Sequence, residues 1–201
     1  MRSEKNSDYN VVVYCASSNQ LRPVFTQTAT RLGELLAQNG ITCVNGAGKE
    51  GLMGALNDAV LQHGGRVKGI IPRFMSDAGW GHDELTELVV TETIHERKAL
   101  MADTADAVVA LPGGMGTLEE LAEILTWKQL GLSHHPIILL NVDHYYDPLL
   151  AFFDKMISER FMRDDFRRMW LVADTPEEVI SLLQNYPEWN PTFGKYTRKE
   201  L

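Results

Sequence analysis

The sequence predicts an α/β fold: a single doubly wound domain whose mostly parallel sheet is flanked by helices on both faces. Three observations predict it. Short apolar runs rich in β-branched residues alternate with stretches whose apolar residues recur at helical spacing. Most of the helical stretches run to ten or more residues, the length a right-handed βαβ crossover needs. At 201 residues and 44% hydrophobic, the chain can build one well-packed core but is short for two.

Residues 10–15 form the first strand, carrying three consecutive valines. Residues 24–38 place Phe25, Leu32, Leu35 and Leu36 on one helical face, and Asn39-Gly40 ends that helix. A second strand at 41–44 runs into Asn45-Gly46-Ala47-Gly48 and a helix over 51–63. Gly64-Gly65 turns the chain into a third strand, 67–71, closed by Pro72. Residues 73–84 read as a loop carrying Trp80 and His82, placed to cover a pocket. A fourth strand (88–91), a helix (94–104) and a fifth strand (107–111) follow. The spacing then predicts a helix over 117–130, a sixth strand at 136–141 and two last helices at 147–160 and 175–183. The domain so defined covers residues 10–186 and is Rossmann-like. Residues 1–9 and 187–201 are polar and read as tails.

In such a sheet, ligands bind beyond the carboxyl ends of the strands. That rule gathers three segments on one edge: Ala16-Ser17-Ser18, residues 45–48 and residues 112–117. Arg97 can reach the same edge from its helix. Net charge is −8 and the pI near 5.2, so the basic footprint needed for a nucleic-acid polymer or an anionic membrane is missing. No stretch approaches the roughly 18 apolar residues of a membrane span, and the polar start lacks the core of a signal peptide. A cytoplasmic location is expected. Cys15 and Cys43 sit in apolar runs and read as buried thiols. Neither they nor His134-His135 have a plausible ligand set, so no metal is expected.

The most informative segment is residues 111–120, Leu-Pro-Gly-Gly-Met-Gly-Thr-Leu-Glu-Glu. Strand, glycine-rich turn and helix start together present free backbone N–H groups and a positive helix end to an anion, most often a phosphate. Gly113, Gly114 and Gly116 let a ligand approach the backbone, and Thr117 adds a hydroxyl. Thr117-x-x-Glu120 also has the spacing of a capping box, which stabilises a helix by about 1 kcal/mol and needs no active site. Spacing alone leaves both readings open. Glu119 lies about 100° round the helix from Glu120, and neither it nor Glu123 makes a convincing second acid. Arg97 in His95-Glu96-Arg97-Lys98 is either a fork for phosphate or ribose oxygens or part of a solvated face. Residues 45–48 with Gly51 match neither GxGxxG nor the Walker A pattern, so Lys49 is not a P-loop lysine.

Together these residues resemble one family, the LOG-type cytokinin riboside 5′-monophosphate phosphoribohydrolases, long described as possible lysine decarboxylases. The family's PGGxGTxxE hallmark is filled at every fixed position by residues 112–120. An ERKxxM-like segment matches residues 96–101, and Gly-Leu-Met-Gly matches residues 51–54. The strand-end Cys-Gly-Ser-Ser is present as Cys15-Ala16-Ser17-Ser18. The likeness runs to about Leu183. Ala16 replaces a usual glycine, residues 45–48 replace a usual Tyr-Gly-Gly-Gly, and Ile94 stands where methionine is common.

The resemblance implies hydrolysis of the N-glycosidic bond of a nucleoside 5′-monophosphate, with AMP or an N6-modified adenine nucleotide as substrate. It implies a homodimer or larger homo-oligomer with the site near a subunit interface, and it implies no cofactor. It assigns catalysis to Arg97 and Glu120, which overrides the capping reading of Glu120. It assigns substrate binding to Ser17, Ser18, Gly46, Gly48, Met53, Lys98, Gly113, Gly114, Gly116 and Thr117. Met53, Trp80 and Trp127 are candidates to line the base pocket. The rival on the same architecture is a non-catalytic nucleotide carrier of the molybdenum-cofactor type. A decarboxylase would need a Schiff-base lysine, and Lys49, Lys68, Lys98 and Lys128 have no such setting.

Overall fold

The computed structural model describes residues 9–187 and 189. Strand and helix alternate through the first half as β1 (Asn10–Tyr14), α1 (Pro23–Gln38), β2 (Thr42–Asn45), α2 (Gly51–Gln62), β3 (Val67–Pro72), α3 (Arg73–Asp77) and β4 (Glu87–Thr91). The second half continues with α4 (Ile94–Thr104), β5 (Ala107–Ala110), α5 (Met115–Gln129), β6 (Ile137–Leu140), α6 (Asp147–Ser158), β7 (Leu171–Ala173) and α7 (Pro176–Gln184).

The seven strands form one sheet in the order β4-β3-β2-β1-β5-β6-β7, and every pairing is parallel. The chain winds outward from β1 to β4, then returns to place β5 on the other side of β1. That reversal opens a crevice at the carboxyl ends of β1 and β5, where a doubly wound sheet receives its ligand.

Side chains of β1 alternate between two apolar layers, as the period of a strand demands. Val11, Val13 and Cys15 join Leu32, Leu36, Leu52 and Leu56 beneath α1 and α2. Val12 and Tyr14 face the other way, against Met101, Leu121 and Ile124 of α4 and α5. Both faces of the sheet are therefore covered, which is why its strands read as continuous apolar runs.

The structure corrects the sequence reading at three places. β7 was not expected; its three residues are too few to show a period. Residues 73–77, expected as loop, form α3, a short helix with no buried residue and so no apolar stripe to read. The helix expected from Thr117 begins at Met115, with Gly114 as its extended N-cap and the Leu118 N–H donating to the Gly114 carbonyl at 3.0 Å. Thr117 is thus inside the first turn and Glu120 on the second, so the 117–120 capping box does not form. The stretches expected as tails, 1–9 and 187–201, fall almost wholly outside the described residues. Of them, Trp189 packs against Phe166 and the Lys128 ammonium.

Candidate active site

A cavity of about 680 Å³ opens at the carboxyl edge of the sheet. Its walls come from the turn after β1 (Cys15, Ala16, Ser17), the glycine loop after β2 (Gly46, Gly48), and the start of α5 (Gly114 to Thr117). Arg97 and Glu120 also line it. The Ala16 N–H donates to the Pro112 carbonyl at 3.3 Å, and the Ala16 carbonyl accepts from Leu52 and Met53 at the start of α2. One residue at the end of β1 therefore ties two of the walls together.

Arg97 Nη2 donates to Glu120 Oε1 at 2.8 Å, with only 12% and 11% of the two side chains exposed. Arg97 is delivered by α4, whose first turn is fixed by a capping box. Thr93 Oγ1 accepts from the Glu96 N–H at 3.1 Å, and Glu96 Oε2 accepts from the Thr93 N–H at 3.2 Å. The guanidinium lies over Gly46, where a Cβ would stand 2.3 Å from Nη2. Only glycine leaves room for it. Arg97 Nε is buried and has no hydrogen-bond partner among the described residues.

Burial raises the Glu120 carboxyl above its ordinary range, and the Arg97 charge opposes that rise. A raised, cavity-facing carboxyl beside a fixed cation is a candidate acid–base group. Cys15 also lines the cavity, but burial pushes its thiol far up, so it presents an apolar S–H and not a thiolate nucleophile.

The N-terminus of α5 supplies the opposite electrostatic element. No side chain caps it, and a Cβ on Gly114 or Gly116 would meet nothing within 4 Å. Uncapped N–H groups and the positive helix end therefore face open space in the cavity. The loop before them is held from behind. Tyr146 donates to the Leu111 carbonyl at 2.5 Å, and Tyr145 donates to the Gly113 carbonyl at 2.6 Å.

The glycine loop after β2 rests on two fully buried amides. Asn45 Nδ2 donates to Asn57 Oδ1 at 2.6 Å, Asn45 Oδ1 accepts from the Ala47 N–H at 2.9 Å, and Asn57 Nδ2 donates to the Gly48 carbonyl at 3.2 Å. These bonds hold Ala47 at a φ of 64°, a left-handed conformation that disfavours a side chain. Its carbonyl accepts from the His82 N–H at 2.8 Å, and Lys49 and Trp80 pair through their backbones, bringing the 78–82 loop over the cavity. Ile71, Met75, Trp80 and Met53 make that end apolar.

A family model described as "Possible lysine decarboxylase" matches residues 53–183. The probable cytokinin riboside 5′-monophosphate phosphoribohydrolase LOGL1 of Oryza sativa subsp. japonica is 43% identical over 191 residues, spanning 95% of this chain and 86% of that protein. The cytokinin riboside 5′-monophosphate phosphoribohydrolase LOG7 of Arabidopsis thaliana is 40% identical over 200 residues, or 99% and 90% of the two chains. This chain belongs to the LOG family. Among solved structures, the molybdenum cofactor binding protein of Rippkaea orientalis superposes with a TM-score of 0.68 over 90% of this chain and 98% of that one. At 22% identity that likeness shows the shared fold alone.

In this LOG-family chain the cavity brings together most of the residues singled out from sequence: Arg97, Glu120, Ser17, Gly46, Gly48, Met53, Gly114, Gly116 and Thr117. Three lie outside its lining. Ser18 Oγ accepts from the Gln20 N–H in the adjoining turn. Gly113 sits one layer back, where a Cβ would stand 2.1 Å from Thr117 Oγ1. Lys98 turns away to Glu119 and Glu123 on α5. Trp127 packs into the apolar layer under α5, away from the cavity. His82 Nε2 donates to Asp58 Oδ1 at 2.9 Å, while its Nδ1 accepts from the Glu84 N–H.

Sequence reading missed Ile71, Met75, Lys49 and Glu50 in the lining, and the supports Asn57, Tyr145 and Tyr146. The 93–96 capping box was legible as Thr-x-x-Glu and was the true instance of the pattern read at 117–120.

Proposed function

We propose that this protein hydrolyses the N-glycosidic bond of an adenine nucleoside 5′-monophosphate, releasing the free base and ribose 5-phosphate. The observation that carries this reading is one cavity holding the Arg97–Glu120 pair beside the uncapped start of α5. A pure phosphate binder gains nothing from a buried carboxylate next to its anion. An N-glycosidase needs one. Cleavage of the ribosyl bond builds positive charge at C1′ and the ring oxygen, as in O-glycoside hydrolysis. The Glu120 carboxylate stabilises that charge and accepts a proton from the attacking water.

The remaining residues fit around that chemistry. N–H groups at Gly114 and Gly116, with the Thr117 hydroxyl, take the 5′-phosphate. Arg97, which lines the cavity, takes ribose or phosphate oxygens and fixes the sugar against Glu120. Binding energy from the phosphate, remote from the reacting carbon, then positions C1′. The base extends toward Met53, Ile71, Met75 and Trp80, an apolar wall suited to an N6 alkyl substituent. The reading calls for neither a metal nor an organic cofactor.

Residues 10–186 would form the catalytic domain, acting as a homodimer or larger assembly. Met115, exposed in the cavity lining, supports a subunit contact there. No helix among the described residues is long and apolar enough to cross a membrane; a cytoplasmic location is part of the same proposal.

The test is to incubate the protein and its Glu120→Gln variant with AMP and with N6-isopentenyl AMP, and to separate the products by chromatography. Free base from the wild type alone supports the reading, and the two rates rank the substrates. Tight nucleotide binding without base release would replace it with the carrier alternative.

A further inference from the structure

Lys98 was expected at the substrate and is instead spent on two carboxylates. Its ammonium, on a side chain only 8% exposed, bonds Glu119 Oε1 and lies 3.2 Å from Glu123 Oε1. The adjacent residue, Arg97, reaches Glu120. Two consecutive cations of α4 thus engage three carboxylates within five residues of α5. We propose that Lys98 is a positioning residue for Glu120: it neutralises Glu119 and Glu123, so that Glu120 remains the ionised carboxylate aimed into the cavity.

Like charge crowds the flank of α5 beside Glu120. Glu119 and Glu123 neighbour Glu120 in sequence and one helical turn on, and each disfavours a negative charge at Glu120. Burial acts in the same direction and is the largest effect. Only Arg97 and Lys98 oppose them. Arg97 already serves the cavity, so removing the Lys98 charge leaves two bare carboxylates beside a buried third. The other groups facing Glu120 are Tyr14 and Cys15 from β1, both held neutral by burial, and Lys49 and Glu50 across the cavity. None of these replaces Lys98 on the α5 flank.

This inference rests on the phosphoribohydrolase reading for its consequence but can be checked independently of it. The variants are Lys98→Met and the triple Lys98→Met/Glu119→Gln/Glu123→Gln. Two readouts are taken: base release from AMP between pH 4.5 and 8, and the pH titration of the Glu120 carboxyl by ¹³C NMR. In Lys98→Met the acid limb of kcat/KM and the NMR midpoint of Glu120 should both move up by about one pH unit, a roughly tenfold loss of rate on that limb. The AMP phosphate, which titrates in the same range, is common to all variants and shifts nothing between them.

In the triple variant both midpoints should return to within about 0.3 unit of wild type, since the offending charges are gone. A rise in KM with an unmoved limb would make Lys98 a substrate contact. A uniform loss of kcat at every pH, not recovered by the triple variant, would make it merely structural. Either result overturns the proposal. If the wild type releases no base, the proposed function fails. The NMR midpoints of the two variants then decide the role of Lys98 alone.

Discussion

Substituting Gly46 by alanine tests how the glycine loop and the arginine depend on each other. The added Cβ would stand 2.3 Å from Arg97 Nη2 and 3.1 Å from Cζ, whereas ordinary contact begins at 3.4 Å. The guanidinium must therefore withdraw by about 1 Å. Because it is the far end of a flexible side chain, the fold absorbs this, and the loop backbone, held by Asn45 and Asn57, stays in place. The 2.8 Å bond to Glu120 does not survive such a shift. A misplacement of about 1 Å at a positioning group costs on the order of 100-fold in rate, or about 2.7 kcal/mol of transition-state stabilisation. Stability should change by less than about 1 kcal/mol, which is about 2–4 °C in Tm for a chain of this size. Steady-state base release from AMP measures the first quantity and thermal melting the second. A folded Gly46→Ala variant with wild-type kcat/KM would refute the reasoning, because Arg97 would then work equally well from elsewhere.

Three further predictions follow from the same geometry. Thr93→Ala removes the cap that sets the first turn of α4 and should cost about 1 kcal/mol in urea unfolding, with a smaller loss of turnover through Arg97. Asn57→Leu strips the buried Asn45 amide and the Gly48 carbonyl of their partners and should destabilise by about 3 kcal/mol; an unchanged midpoint would mean the loop is held otherwise. Because burial raises the Glu120 carboxyl and the proposed reaction needs it ionised, kcat/KM of the wild type should fall as pH drops through a midpoint above 4.5. A limb at or below that value would show that Glu120 is not the titrating group.

Much of this could be read from the chain because the signals were local. Valine-rich runs with helical spacing between them fixed an α/β sheet, and α4 falls on the expected residues 94–104. The glycines of the 111–120 segment announced an open helix start, since nothing else requires so many at a turn. What stayed hidden had no local signature. β7 is too short to show alternation, and α3 buries nothing. Lys98 and Arg97 look alike in sequence. One helical step of about 100° sends one to the outer flank of α5 and the other into the cavity.

Local patterning determined the class of fold and gathered the glycine-rich turns on one edge of the sheet, whereas the roles expected of Arg97 and Glu120 came from the family resemblance. Period and glycine placement are encoded by neighbouring residues; the order of the strands is not. Only the tertiary structure decided that Glu120 is buried against Arg97 and not spent on a cap. It also decided that Lys98 pairs with Glu119 and Glu123 on α5, and that Asn57 and Tyr145 hold the loops. Such assignments hinge on which side chains meet across α4, α5 and the loops. Contacts between residues distant in sequence are set by packing, and local spacing does not carry them.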